Sequence, residues 1–282
     1  MSPRARQRLA LGLIVVTPGF WAANYIVARL AIDVIEPHLL AWLRWCVAFL
    51  LMLPFAWPAL RREWPGWRAQ WRHSLVLGAL GMWVCGAFVY IGARSTVATN
   101  IGLLYALAPV FIAAASARVF GETLTRTQLV GVGLALAGTV WILLKGSWEN
   151  LMAVRFTAGD GWVLAAVLSW TAYSLLLRHW SSPLDPFARL TTITFGGLVV
   201  LTPLTLAEAW WAGWPDWNTT VLVLVLVVAV LPGFGAYQAY SFMQKELGAA
   251  RTGVVLYLGP LWAALASWVL LGERPQAHHL VG

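Results

Sequence analysis

Apolar runs of about twenty residues, parted by short polar breaks, recur along the whole chain. A helix needs roughly 20 such residues to cross a bilayer core. The runs predict spans near 9–31, 39–59, 73–92, 96–118, 126–145, 159–179, 187–207, 219–243 and 249–271, with a tenth starting near 276. Polar and aromatic positions inside these runs fall at helical spacing. Trp21, Asn24, Tyr25 and Ala28 lie at i, i+3, i+4 and i+7, one face of the first span. Trp170, Tyr173, Ser174 and Leu177 repeat that spacing on the sixth.

That correspondence extends to the whole chain. Shifting Arg94–Gly131 by 151 positions places Ala98, Gly102, Pro109, Ser116, Gly121, Glu122 and Gly131 on Ala249, Gly253, Pro260, Ser267, Gly272, Glu273 and Gly282. A shift of 149 puts Trp21 on Trp170, Arg29 on Arg178 and Glu36-Pro37 on Asp185-Pro186. The chain therefore reads as two repeats, 1–150 and 151–282. Gly282 matches Gly131, early in the fifth span, so the tenth helix is expected to be truncated by about fourteen residues. Five spans per repeat is an odd number, so the second repeat enters the membrane inverted.

Composition agrees with the pattern. The chain is 60% hydrophobic and 11% charged, with mean hydropathy +0.73, against roughly 25% charged residues in soluble domains. The net charge of +8 is a matter of topology rather than nucleic acid. With the N-terminus in the cytoplasm, thirteen Lys and Arg fall inside and six outside. The positive-inside rule then places both termini in the cytoplasm of a bacterial-type inner membrane. The basic N-terminus followed by an apolar run lacks a convincing cleavage site and is read as the first span. Cys46 and Cys85 lie within spans and are read as small apolar side chains.

The two longest connections carry Trp64, Trp67 and Trp71, and Trp210, Trp211, Trp214 and Trp217. Indoles favour the headgroup region, so these are read as interfacial anchors. Thr125 to Gln128 fits a capping box opening the fifth span, and Pro275 suits the first turn of the tenth. Glu122 and Glu273 stand where a carboxylate is favoured by the following helix dipole.

Leu43-Arg44-Trp45, Pro109, Phe120-Gly121-Glu122-Thr123-Leu124 and Gly131, echoed by Pro260, Leu271-Gly272-Glu273-Arg274 and Gly282, resemble the EamA-type repeat of the drug/metabolite transporter superfamily. The resemblance covers nearly the whole chain. It implies an all-α integral membrane protein of ten transmembrane helices in two inverted five-helix repeats. Within the superfamily the chain looks most like amino-acid exporters of the YddG type. Arg44 departs from the symmetry, because Ile193 stands at its repeat position.

The candidate substrate cavity comprises Trp21, Asn24 and Tyr25 on the first span and Trp170, Tyr173 and Ser174 on the sixth. Tyr237, Tyr240 and Ser241 on the eighth, Trp83 and Tyr90 on the third, Asn100 with Tyr105 on the fourth, and Tyr257 on the ninth complete it. The competing reading of each stripe is helix packing, with polar groups bonded across interfaces. Pro109, Pro260 and the Pro232-Gly233 pair are expected to kink their helices and act as hinges. Arg44 is expected to snorkel outward, its stem packed on Trp42 and Trp45, with attraction of a substrate carboxylate as the alternative reading.

All eleven acidic residues fall in loops or at span ends, so a mid-membrane proton relay is not expected. Facilitated diffusion or exchange fits better. The five histidines are scattered, which argues against a metal site and a membrane-embedded enzyme, and no cofactor is implied. The expectation is a carrier exporting small zwitterionic metabolites, amino acids above all, by alternating access. Its partners would be that small-molecule substrate and membrane lipid, without nucleic acid or an obligate protein. A multidrug exporter is the alternative.

Overall fold

The computed structural model describes residues 2–121, 125–259, 261, 262 and 265; the side chain of Tyr25 and three others lie outside the description. The described residues are helices and connections, with no strand among them. Among the described residues, eight helices are long and apolar enough to cross a membrane. They are span 1 (Pro3–Leu30), span 2 (Pro37–Arg62), span 3 (Trp71–Ala93), span 4 (Asn100–Phe120) and span 5 (Arg126–Leu143) in the first half. Span 6 (Ala158–His179), span 7 (Pro186–Ala212) and span 8 (Thr219–Leu247) follow in the second. A shorter apolar helix, Ala249–Leu258, opens the ninth run. The tenth run lies outside the described residues, together with Glu122, Pro260, Glu273 and Pro275.

Local chemistry starts and stops these helices. Thr125 and Gln128 bond reciprocally at the head of span 5, the capping box the sequence predicts. Asp185 accepts from Phe187 N and Ala188 N to open span 7, and Asn218 accepts from Val221 N to open span 8. Glu208, from span 7, accepts from Leu39 N at 2.9 Å and pairs with His38 at 2.8 Å. It places a carboxylate at the N-terminal end of span 2. Span 4 ends at Gly121, whose φ of +64° is open to glycine without strain.

Three of the eight described spans are irregular. Span 4 breaks at Leu107 into Ala98–Ala106 and Ala108–Phe120, with Pro109 in the first turn of the second piece. The expected mid-helix kink is thus a break, because proline cannot donate to the preceding turn. Spans 3 and 8 each contain a π-helical segment, Ala79–Val84 and Ala229–Ala236, whose starts are 150 positions apart. The second contains Pro232 and Gly233. The first has no proline and was not foreseen.

Helices from the two halves interlock. Span 7 packs on spans 2 and 3, span 6 on spans 3 and 4, and span 1 on span 8. Gly78 and Gly197 approach closely: a Cβ on Gly78 would stand 2.2 Å from the backbone nitrogen of Gly197. Small residues of this kind let helix backbones touch, which matters in lipid, where burial of apolar surface does not drive association.

Candidate functional site

The middle of the molecule is a meeting of two walls. The first half supplies a polar one. Asn24, on span 1, accepts at Oδ1 from the Tyr90 hydroxyl at 2.6 Å and from Arg44 Nη1 at 3.2 Å. Arg44 Nη1 also lies 3.4 Å from the Tyr90 hydroxyl oxygen. The guanidinium carbon stands 4.7 Å from the Trp45 ring and 5.8 Å from that of Tyr237, within cation–π range.

Arg44 is only 3% exposed, which overturns the expectation that it snorkels outward. Its side chain follows a channel of small residues. Ala41 and Ala48 flank it one turn away on the same face, and Arg44 Cγ lies 3.5 Å from where a side chain on Gly233 would begin. Among the described residues no salt bridge includes it, and its Nε has no hydrogen-bond partner. Burying an ion costs several kcal/mol unless a counter-charge and hydrogen bonds offset it. Here only neutral dipoles and ring faces do so.

The second half supplies an aromatic wall. Trp170, 3% exposed, is its hub. It stacks on Tyr173 at 5.3 Å and meets Tyr237 edge-on at 5.4 Å and Tyr240 at 4.7 Å. Trp21 reaches across from span 1 to meet Trp170 at 5.6 Å and 86°, so the two repeat-related indoles touch edge to face. Trp45 packs on Tyr237 at 4.8 Å.

The π segment of span 3 holds these rings. Three of its carbonyls accept side-chain hydrogen bonds: Leu80 from Ser169 Oγ at 2.9 Å, Gly81 from Tyr237 OH at 2.7 Å, and Met82 from Trp45 Nε1 at 3.2 Å. A π turn shifts the helical bonding pattern, and such turns recur at functional sites. Two of the three donors come from the second half.

Between the walls lies a cavity lined by Trp21, Asn24, Arg44, Cys85, Tyr105, Trp170, Tyr237 and Leu256. Its volume of about 40 Å³ holds roughly three waters at 10–15 Å³ each, far less than an amino acid. The site as it stands cannot hold one. Below it, the Tyr240 and Ser174 hydroxyls bond at 2.8 Å, and Gln244 Nε2 donates to Ser174 O at 3.2 Å and to Tyr240 OH at 3.3 Å.

Of the residues singled out from sequence, Trp21, Asn24, Tyr90, Trp170, Tyr173, Tyr237 and Tyr240 come together here, with Ser174 beneath. Others go elsewhere. Asn100 donates to Asp160 Oδ2 at 3.0 Å and Arg155 O at 2.8 Å, in a buried cluster at the start of span 6. Tyr105, not Asn100, faces the cavity. Trp83 packs edge-on against Phe88 at 5.8 Å, and Ser241 lines a separate pocket. Tyr257, though buried, is not among the cavity's lining residues, while its neighbour Leu256 is. Arg44, Trp45 and Cys85 are additions. The signal for Arg44 was its phase: it shares a helix face with Leu40, Ala41 and Ala48, all buried.

A multi-pass helical protein with a polar and aromatic centre has the form of a membrane carrier. The chain belongs to the EamA-like transporter family, which it matches twice, over residues 8–144 and 157–282. It is 27% identical over 279 residues to an uncharacterized transporter of Archaeoglobus fulgidus, covering 96% of this chain and 92% of that one. It is 28% identical over 275 residues to a probable terminal-alkyne amino-acid exporter of Streptantibioticus cattleyicolor, covering 97% and 88%. It is 26% identical to the uncharacterized inner membrane transporter YedA of Escherichia coli over 96% and 86% of the two chains. A solved crystal structure with 18% identity superposes with a TM-score of 0.74 over 99% of this chain and 93% of the other, a likeness of fold.

Proposed function

We propose that this transporter exports small zwitterionic metabolites, amino acids with aromatic ones included, across an inner membrane by alternating access. The observation that carries the reading is Arg44, a buried cation without a carboxylate partner among the described residues, facing a wall of four aromatic rings. A substrate carboxylate supplies the missing counter-charge, and aromatic faces attract its ammonium and pack its side chain. The probable amino-acid exporter among the relatives is consistent with this substrate class.

Five spans in the first repeat favour a second repeat of opposite orientation, the usual way to build two gates around one site. Loading a 40 Å³ cavity requires the interlocked halves to move apart. Among the described residues the cavity lining carries no carboxylate, which favours facilitated diffusion or exchange over proton coupling. Arg44 also weighs against a multidrug exporter of lipophilic cations, because a buried positive charge repels them.

The test is counterflow in liposomes holding the full-length protein, with labelled amino acids and a lipophilic cation run side by side. Exchange of several amino acids, phenylalanine included, without cation movement is expected. Movement of the cation alone would replace this reading with drug efflux.

A further inference from the structure

The molecule has a second pocket, of about 280 Å³, at the ends of spans 6, 7 and 8. It opens at the same end as the N-terminus, since Arg6 pairs with Glu246 there at 3.2 Å. Arg178, Arg189 and Lys245 line it. Arg189 is anchored by donating to Leu177 O at 2.9 Å and Trp180 O at 2.5 Å, carbonyls at the end of span 6. No carboxylate offsets these three charges among the described residues. Glu246 is taken by Arg6, and Asp185 is bonded to the backbone at the start of span 7. The pocket reaches inward to Gln244, a 3% exposed amide whose Oε1 has no hydrogen-bond partner.

The opposite end contrasts with it. A pocket of about 520 Å³ there is lined by Asp33, Glu36 and Arg94, and Glu36 pairs with Arg94 at 2.8 Å. By the 149-position shift, Arg178 is the counterpart of Arg29, whose end of the molecule carries this neutralised charge. Of these two pockets, only the first is basic and without a paired carboxylate among the described residues.

We propose that the basic pocket is a waiting site for the substrate carboxylate, resting on the carrier reading above. Arg178, Arg189 and Lys245 hold the carboxylate, and Gln244 Oε1 accepts from the ammonium. A single layer separates this site from the central cavity. Tyr240, bonded to Ser174 and Gln244, has its other side on Trp21 and Trp170, at 5.7 and 4.7 Å. Breaking the Tyr240–Ser174 bond would let a held substrate pass to the aromatic wall and Arg44. An inward-reaching pocket that ends at this layer suits a soluble zwitterion better than a lipid headgroup, whose acyl chains must stay outside.

The test separates the two sites. Sodium acetate, exchanged for chloride at constant ionic strength, should raise the melting temperature of the purified wild type and of Arg44→Leu alike. It should leave that of Arg178→Gln/Lys245→Gln unmoved. Protection lost in Arg44→Leu and kept in the double variant would overturn the proposal. In liposomes of neutral lipid, the double variant should raise the KM for phenylalanine exchange about tenfold with Vmax kept, and the difference should vanish in 1 M salt, where the Debye length is about 3 Å. An unchanged KM, or a change that appears only when phosphatidylglycerol is present, would overturn it and in the second case assign the pocket to a lipid headgroup. Failure of the wild type to exchange phenylalanine would strike the carrier reading and leave the acetate result to decide the pocket.

Discussion

The two halves share one helical plan and bring opposite chemistry to the centre. At repeat-related positions, Trp21 is matched by Trp170, but Asn24 by Tyr173 and Arg44 by Ile193. The first half therefore presents an amide, a phenol and a guanidinium bonded together, and the second presents a stack of rings. The matched indoles are the pair that meets across the boundary. Even the π segments divide the work: the one in span 3 anchors rings through its carbonyls, and the one in span 8 leaves room at Gly233 for the stem of Arg44. Duplication decides where side chains converge, and a few unmatched positions decide what they bind.

The strongest way to break this asymmetry is Arg44→Leu, which makes the polar wall as apolar as its Ile193 counterpart. Counterflow of phenylalanine should fall on the order of 100-fold, the cost of about 3 kcal/mol for removing one partner of a desolvated charge pair. The melting temperature should rise, because an apolar side chain replaces a buried ion without a counter-charge. Loss of transport with loss of fold would instead make Arg44 a structural residue.

Asn24→Asp sharpens the comparison by giving Arg44 an internal carboxylate where Oδ1 now stands at 3.2 Å. The guanidinium would then be paired before substrate arrives, and phenylalanine exchange should drop about tenfold, the worth of roughly 1.4 kcal/mol. Phenethylamine, which lacks the carboxylate, should become a better competitor of the labelled substrate. An unchanged competition profile would mean that Arg44 does not read the carboxylate.

The spans were legible because a bilayer imposes length and apolarity on each helix separately. Span 6 was expected at 159–179 and runs over Ala158–His179; span 7 continues to Ala212, five residues past the expected 207. Which face meets which neighbour was less legible. Arg44 looked like a snorkelling residue because the space it occupies is made by Gly233, nearly two hundred residues away. The π segment at Ala79–Val84 carries no proline to announce it, and the donors that hold its carbonyls sit on three other helices. Of the two residues expected on span 4, Tyr105 reaches the cavity and Asn100 does not, because Asp160, at the start of another span, claims the amide. Periodicity reports the phase of one helix, and convergence needs the phase of all of them.

The mildest test falls on the boundary between the walls. Tyr237 belongs to the aromatic side by its ring, which packs on Trp45 at 4.8 Å and Trp170 at 5.4 Å, yet its hydroxyl donates to Gly81 O at 2.7 Å. Tyr237→Phe keeps the ring and leaves that buried carbonyl without its donor, at about 1–3 kcal/mol of stability. The melting temperature should therefore fall, while phenylalanine exchange should change only about two- to threefold, because the face that would meet substrate is retained, and 0.5 kcal/mol is worth little more than twofold. A transport loss as deep as that of Arg44→Leu would place the hydroxyl on the substrate's path. The aromatic wall would then be a polar one as well, and the division between the halves would reduce to Arg44 against Ile193.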